Sequence, residues 1–152
     1  MKAVLQRVSE VKLEIYGKTY SQIEKGLLVL LGVQEGDTRD DAEALCSKIV
    51  NLRIFEDDNG KMNLSLLQTG GEIMVVSNFT LCADCKKGRR PSFVKAEEPE
   101  RAELMYEYFV GSVKKEGVKK VACGVFGADM KIKLLNDGPV TIILDSHDLL
   151  GR

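Results

Sequence analysis

Histidine is almost missing from this chain of 152 residues: His147 is the only one, and the sequence shows no dense motif of metal-ligating residues. A catalytic triad needs its three groups to converge in space. Ser146 and Asp148 flank His147 in sequence, where they cannot turn to face it, so an exposed tail histidine is expected. Excess charge is missing too. Lys and Arg number 22 against 23 Asp and Glu, a formal net charge of −1. That excludes nucleic-acid binding by bulk charge and leaves local basic patches open. The longest apolar run, Leu27–Leu31, falls far short of the ~20 residues that span a bilayer. No glycine-rich phosphate loop is present, because Gly70-Gly71 stands alone as a turn. No repeat, low-complexity segment or linker divides the chain, and one domain over 1–152 is expected.

Met1-Lys2 leads into Ala3-Val4-Leu5, but Arg7 interrupts the run at once, unlike a secretory signal. A cytoplasmic chain without a membrane partner is the expectation. Cysteines stand at 46, 82, 85 and 123, and such a count suits a disulfide framework only in a short secreted protein. Cys82-Ala83-Asp84-Cys85 matches C-x-x-C, which suits zinc only beside a second close pair or a histidine. A redox pair would open a helix after a strand, whereas a basic loop follows here. Incidental cysteines are the simplest reading; thiol chemistry and metal binding stay open.

What the chain does contain is clear periodicity. Val4–Val8 reads as a strand, and Val11, Leu13 and Ile15 alternate with Lys12, Glu14 and Tyr16 as in a second, half-buried one. Tyr16-Gly17-Lys18-Thr19 supplies a turn, and Leu27–Val33 reads as a strand covered on both faces. Thr38 followed by Asp41 marks a helix start, with Ala42, Leu45, Ile49 and Leu52 on its apolar face. Asp57-Asp58-Asn59-Gly60 is a turn that lacks the spaced ligands of a calcium loop. Glu72–Asn78 is another buried strand. Pro99 opens a second helix, with Ala102, Met105, Phe109 and Val113 inward and Lys114, Lys115 and Gly117 closing it. Strands over Lys119–Phe126, Lys131–Leu135 and Val140–Asp145 complete the order. This predicts an α+β fold in a single domain, with a largely antiparallel, curled and barrel-like β-sheet and two main helices.

Three segments could carry chemistry. Ser77-Asn78-Phe79-Thr80-Leu81 ends the apolar strand, with Phe79 free to pack inward and Ser77, Asn78 and Thr80 polar. Main-chain N–H groups freed there could receive a developing oxyanion; a plain strand end closed by a turn is the alternative. Asn136-Asp137-Gly138-Pro139-Val140-Thr141 sets Pro139 at the start of a strand, where the bond before it is either an ordinary trans peptide or cis. Lys86, Lys87, Arg89 and Arg90 put four cations into five residues, which suits either phosphate contact or a solvated charge run.

Together, Ser77–Leu81 and Asn136–Thr141 resemble the two signature motifs of the D-aminoacyl-tRNA deacylase family, the chiral proofreading enzymes of translation. Gln6-Arg7-Val8, Gly26–Val33, Arg53-Ile54-Phe55, Gly60–Asn63, Gly88–Phe93 and Ala128-Asp129-Met130 extend the likeness over nearly the whole chain. One departure is Asn78, where the family commonly has glutamine: the amide is kept and shortened by a methylene.

The resemblance implies hydrolysis of the ester in D-aminoacyl-tRNA, with glycyl-tRNA also admitted. It implies a homodimer in which Gly138 and Pro139 of one subunit, joined by a cis bond, test the chiral centre in the other and reject L-aminoacyl groups by a clash. Backbone N–H groups around Phe79 and Thr80, with Ser77 and Asn78, would form the hydrolytic cradle. Either the Thr80 hydroxyl or the tRNA's own 2′-hydroxyl would assist, and Thr80 has no base beside it in sequence. Met130 would wall an adenine pocket, and Lys86, Lys87, Arg89 and Arg90 would contact tRNA phosphates. No metal, organic cofactor or DNA partner is implied. The rival readings are a non-catalytic RNA-binding module and a thiol or zinc protein built on Cys82 and Cys85.

Overall fold

The computed structural model describes residues 1–152. Its frame is one long strand, β1 (Lys2–Ile15), which has neighbours on both sides. On one side its first half pairs with β3 (Gly26–Gly32) and its second half with β2 (Lys18–Ile23). On the other it pairs with β8 (Lys131–Asp145) along nearly its whole length. All three pairings are antiparallel. Sequence periodicity separates β1 into two strands because the register slips on either side of Val8, which breaks the alternation without ending the strand. The turn after β1 has Tyr16 and Gly17 at positive φ, the two-residue hairpin geometry that follows the twist of its strands.

Beyond β3 the sheet becomes parallel, through β6 (Glu72–Ser77) to β7 (Val121–Cys123). Parallel neighbours need crossovers. The first contains α1 (Arg39–Asn51), the small β4–β5 ribbon (Phe55–Glu56, Met62–Leu64) and the short α2 (Leu66–Thr69). The second contains α3 (Pro99–Lys115). The two ends of the sheet then meet, where the Ser21 hydroxyl on β2 donates 2.8 Å to the Cys123 carbonyl on β7. This gives an α+β single domain with a nearly closed, barrel-like sheet. The two main helices are those the sequence predicts, and α4 (Ser146–Leu150) ends the fold.

The alternation of strand side chains divides the apolar interior in two. Ala3, Leu5, Leu27, Val29 and Leu31 face the layer under α1 and α3, where Leu45, Ile49, Phe109 and Val113 cover them. Val8, Val11, Leu13, Leu28, Met74 and Val76 fill the barrel. The unbroken apolar run of β3 follows from having both faces covered. On α3 the inward stripe is Ala102, Tyr106, Phe109, Val110 and Val113, while Met105 is only partly buried. Thr38 and Asp41 form the expected capping box at the start of α1.

The chain end departs from expectation. His147 is not a free tail residue: it is 39% exposed, with Nε2 3.3 Å from Asp37 Oδ1. Asp37 and Asp41 are buried there with the Met1 ammonium, which lies 2.6 Å from Asp37. Ser146 donates to Asp41 at 2.7 Å. No helix is long and apolar enough to cross a membrane.

Candidate active site

At the end of β6 the chain leaves the sheet and tightens into a 3-10 turn, Phe79–Cys82. Asn78 N–H still donates to Leu31 O at 2.8 Å, and Leu81 N–H closes the first turn onto Asn78 O at 3.3 Å. The first N–H groups of such a turn, those of Phe79 and Thr80, have no acceptor within it, and no side chain caps them. Gly32 lets the turn sit against β3, since a Cβ there would lie 3.0 Å from Leu81 Cβ and 3.1 Å from Asn78 O.

The turn forms one wall of a cavity of about 680 Å³. Ser77, Asn78, Phe79, Thr80 and Met130 all line it, so five of the sequence-predicted residues converge. Tyr106 and Phe126 form a second wall, their rings 6.2 Å apart. The Tyr106 hydroxyl donates 2.8 Å to Val75 O. Burial foremost, then the Cys123 thiol beside it, pushes this phenol well above its ordinary range, so it stays a donor. Thr80 Oγ1 donates to Asn78 Oδ1. An amide oxygen orients that hydroxyl but cannot take its proton.

Phe79 does not pack inward as its sequence setting suggests. It is 58% exposed and meets Phe93 edge-on, with ring centroids 5.0 Å apart. Beyond it, Asp84 and Ser92 exchange backbone hydrogen bonds of 2.8 and 2.9 Å and pinch off the loop between them. Lys86, Lys87, Arg89 and Arg90 are exposed on that loop, and none forms an ion pair.

The second motif lies elsewhere. Within one chain neither Gly138 nor Pro139 lines the cavity. Between the pairs Gln6↔Thr141 and Val8↔Asn136, four residues of β8 stand opposite Arg7 alone, so Asp137–Val140 bulges from the strand. The Asn136 side chain bridges the base of the bulge, accepting from Val140 N–H at 3.1 Å and donating to Thr141 Oγ1 at 3.0 Å. Gly138 and Pro139 are exposed at its tip, joined by a cis peptide. Gly138 has φ +132°, and a Cβ there would lie 2.8 Å from Val140 Cγ2 and 3.1 Å from an Arg7 nitrogen.

Arg7 carries no role in the sequence-based expectations. It is 5% exposed, donating from Nε to Asp137 O at 3.0 Å and from its guanidinium to Ile54 O at 2.8 Å. Alternation signals it: after Met1, Ala3 and Leu5, position 7 falls on the buried side of β1, where a cation needs partners. The C-x-x-C cysteines face different surroundings. Cys82 is buried, with Sγ 3.4 Å from Val33 O, and burial pushes its thiol up; Cys85 is exposed. Neither belongs to the one cluster of side chains spaced to hold a metal, Asp37, Asp41 and His147, where the Met1 ammonium already supplies a cation.

Backbone donors, hydroxyls and an apolar cavity on a nearly closed α+β barrel define a site suited to acyl chemistry at a main-chain cradle. Comparison with known proteins gives the family. The family model for D-Tyr-tRNA(Tyr) deacylase matches residues 4–145. A D-aminoacyl-tRNA deacylase of Thermosipho melanesiensis is 56% identical over 146 residues, 96% of this chain and 97% of its own. One from Clostridium botulinum strain 657 is 58% identical over 147 residues, 97% of this chain and 98% of its own. Among solved structures, the c-Myc DNA Unwinding Element Binding Protein superposes with TM-score 0.91 at 41% identity, covering 95% of this chain and 98% of that one. A probable eukaryotic D-amino acid tRNA deacylase shares the fold, with TM-score 0.81 at 15% identity over 95% and 98% of the two chains. The chain belongs to the D-Tyr-tRNA(Tyr) deacylase family.

Proposed function

We propose that this chain hydrolyses the ester of D-aminoacyl-tRNA, releasing the free D-amino acid and tRNA. The observation that carries the reading is the uncapped start of the 3-10 turn on the cavity wall, in a chain of this family. Water attacks the ester carbonyl, and the N–H groups of Phe79 and Thr80 stabilise the oxyanion that develops. Met130 walls the space for the terminal adenine. Activation falls to the tRNA's own 2′-hydroxyl rather than to Thr80. Supporting this, the Thr80 proton is directed to the amide oxygen of Asn78, which is no base.

The chirality test is made in trans. Gly138 and Pro139 of one subunit enter the cavity of a second in a homodimer, where rigid backbone beside Cα excludes an L side chain and admits glycine. In support, these two residues are exposed on a braced bulge yet lie outside their own chain's cavity. A check made at Cα ignores side-chain identity, so one site serves many D-amino acids. Lys86, Lys87, Arg89 and Arg90 hold tRNA phosphates, and the protein works in the cytoplasm.

The test is incubation with D-tyrosyl-tRNA and L-tyrosyl-tRNA, measuring amino acid release. Release from the D-ester alone is expected. Binding of both without D-selective release would instead make the protein a non-catalytic RNA-binding module.

A further inference from the structure

Phe79 and Phe93 form an aromatic pair that the rest of the chain covers only in part, leaving them 58% and 37% exposed. Their rings meet at 69°, so they present two differently tilted surfaces rather than one stacked block. Phe79 lines the cavity, whereas Phe93 stands outside it. Phe93 directly follows Ser92, whose pairing with Asp84 closes the loop carrying four cations. The Phe93 carbonyl accepts from Ala96 N–H at 2.9 Å, and the next N–H, that of Glu97, donates to Val33 O at 3.0 Å. Phe93 is thus anchored between the basic loop and the cavity wall.

We propose that Phe93, with the outer surface of Phe79, is a stacking platform for the unpaired nucleotides that precede the terminal nucleoside of the RNA substrate. This rests on the function proposed above. Every base has a π-face, and aromatic rings beside a cationic groove are how proteins hold single-stranded nucleic acid without reading its sequence. The charge balance favours this occupant over an apolar partner: the chain is near neutral overall, yet four unpaired cations are concentrated on the adjoining loop. Strand polarity follows from the layout. The terminal nucleoside occupies the cavity, the preceding bases cross the rings, and their phosphates run along the loop.

The probes are two unhydrolysable amides: 3′-deoxy-3′-(D-tyrosylamino)adenosine alone, and the same group ending the trinucleotide CpCpA. Binding of each to the full chain is compared for wild type, Phe93→Leu and Phe93→Tyr. Phe93→Leu should weaken trinucleotide binding about tenfold, within the range for a base deprived of its aromatic ring, and leave the nucleoside unchanged. Phe93→Tyr, which keeps the ring, should bind both as wild type does. Equal weakening of both probes by Phe93→Leu, or of neither, overturns the platform. A changed sedimentation coefficient in Phe93→Leu also overturns it, because the rings would then serve a second copy of the chain. If wild type binds neither probe, the proposed function itself fails, a result distinct from nucleoside binding that ignores residue 93.

Discussion

Arg7 Nε donates to the carbonyl of Asp137 at 3.0 Å, which ties the bulge that carries Gly138 and Pro139 to the longest strand pairing in the fold. The same guanidinium donates to Ile54 O at 2.8 Å and lies 3.8 Å from both Glu56 and Asp137 carboxylates. Its geometry needs a planar fork, which lysine lacks. Arg7→Lys should therefore keep the charge yet release the bulge, lowering kcat/KM for D-tyrosyl-tRNA by tenfold or more. Arg7→Met leaves the buried Ile54 carbonyl and the part-buried Asp137 carbonyl without this donor, so it should also cost about 1–3 kcal/mol of stability in urea unfolding. Normal turnover in Arg7→Lys would show that the bulge holds its shape without the fork.

Gly138→Ala addresses the tip of the same bulge. Its φ of +132° is a conformation that L side chains rarely adopt, and the new methyl would press on Val140 Cγ2. Strain of this kind costs roughly 1–3 kcal/mol, less than a typical domain's stability, so the variant should still fold. Circular dichroism should be unchanged while D-aminoacyl-tRNA hydrolysis falls sharply. A folded variant with near-normal turnover would separate Gly138 from the activity.

The elements most legible in the sequence are those whose cause is local. The capping box at Thr38, Pro99 at the start of α3 and the unbroken apolar run of β3 each specify their structure within a few residues. The two long strands are less legible, because the breaks in their alternation at Val8 and at Asp137–Val140 are bulges, and a bulge looks like a strand end until its partner is known. Ser77–Thr80 and Met130 are recognisable by motif, but their convergence depends on the β6–β7 and β1–β8 pairings, which are remote in sequence. Arg7 and the Met1–Asp37–Asp41–Ser146 cluster are long-range arrangements, joining residues up to 145 apart, and no local pattern announces which groups will meet.

Charge on the Lys86–Arg90 loop can be removed without touching the fold, since its four cations are exposed and unpaired. Replacing Lys86, Lys87, Arg89 and Arg90 with Gln should weaken tRNA binding most at low salt. The slope of log Kd against log salt should flatten by up to about 3–4, since each of the four phosphates that a cation neutralises adds roughly 0.7–0.9 to it. Binding measured over a salt series from about 50 to 200 mM checks this, and weaker binding with an unaltered slope would point to damage elsewhere.

Asp41 makes the fold sensitive to acid. Burial pushes its carboxyl upward, but hydrogen bonds from the Ser146 hydroxyl and from the Thr38 N–H and hydroxyl, together with the Met1 ammonium, outweigh it and bring the group down to about 2. A folded-state value below the unfolded one of about 3.9 means that the contribution is fully present above pH 4 and is lost as pH falls through 2. The shift corresponds to about 2–3 kcal/mol. Wild-type stability should therefore decline steeply between pH 4 and 2. Asp41→Asn should be less stable at pH 7, because it leaves the network around the Met1 ammonium short of an anion, and should show a shallower decline over the same interval. Urea unfolding of both proteins at pH 7, 4, 3 and 2 measures the difference, and parallel acid limbs would assign the acid sensitivity to other carboxylates.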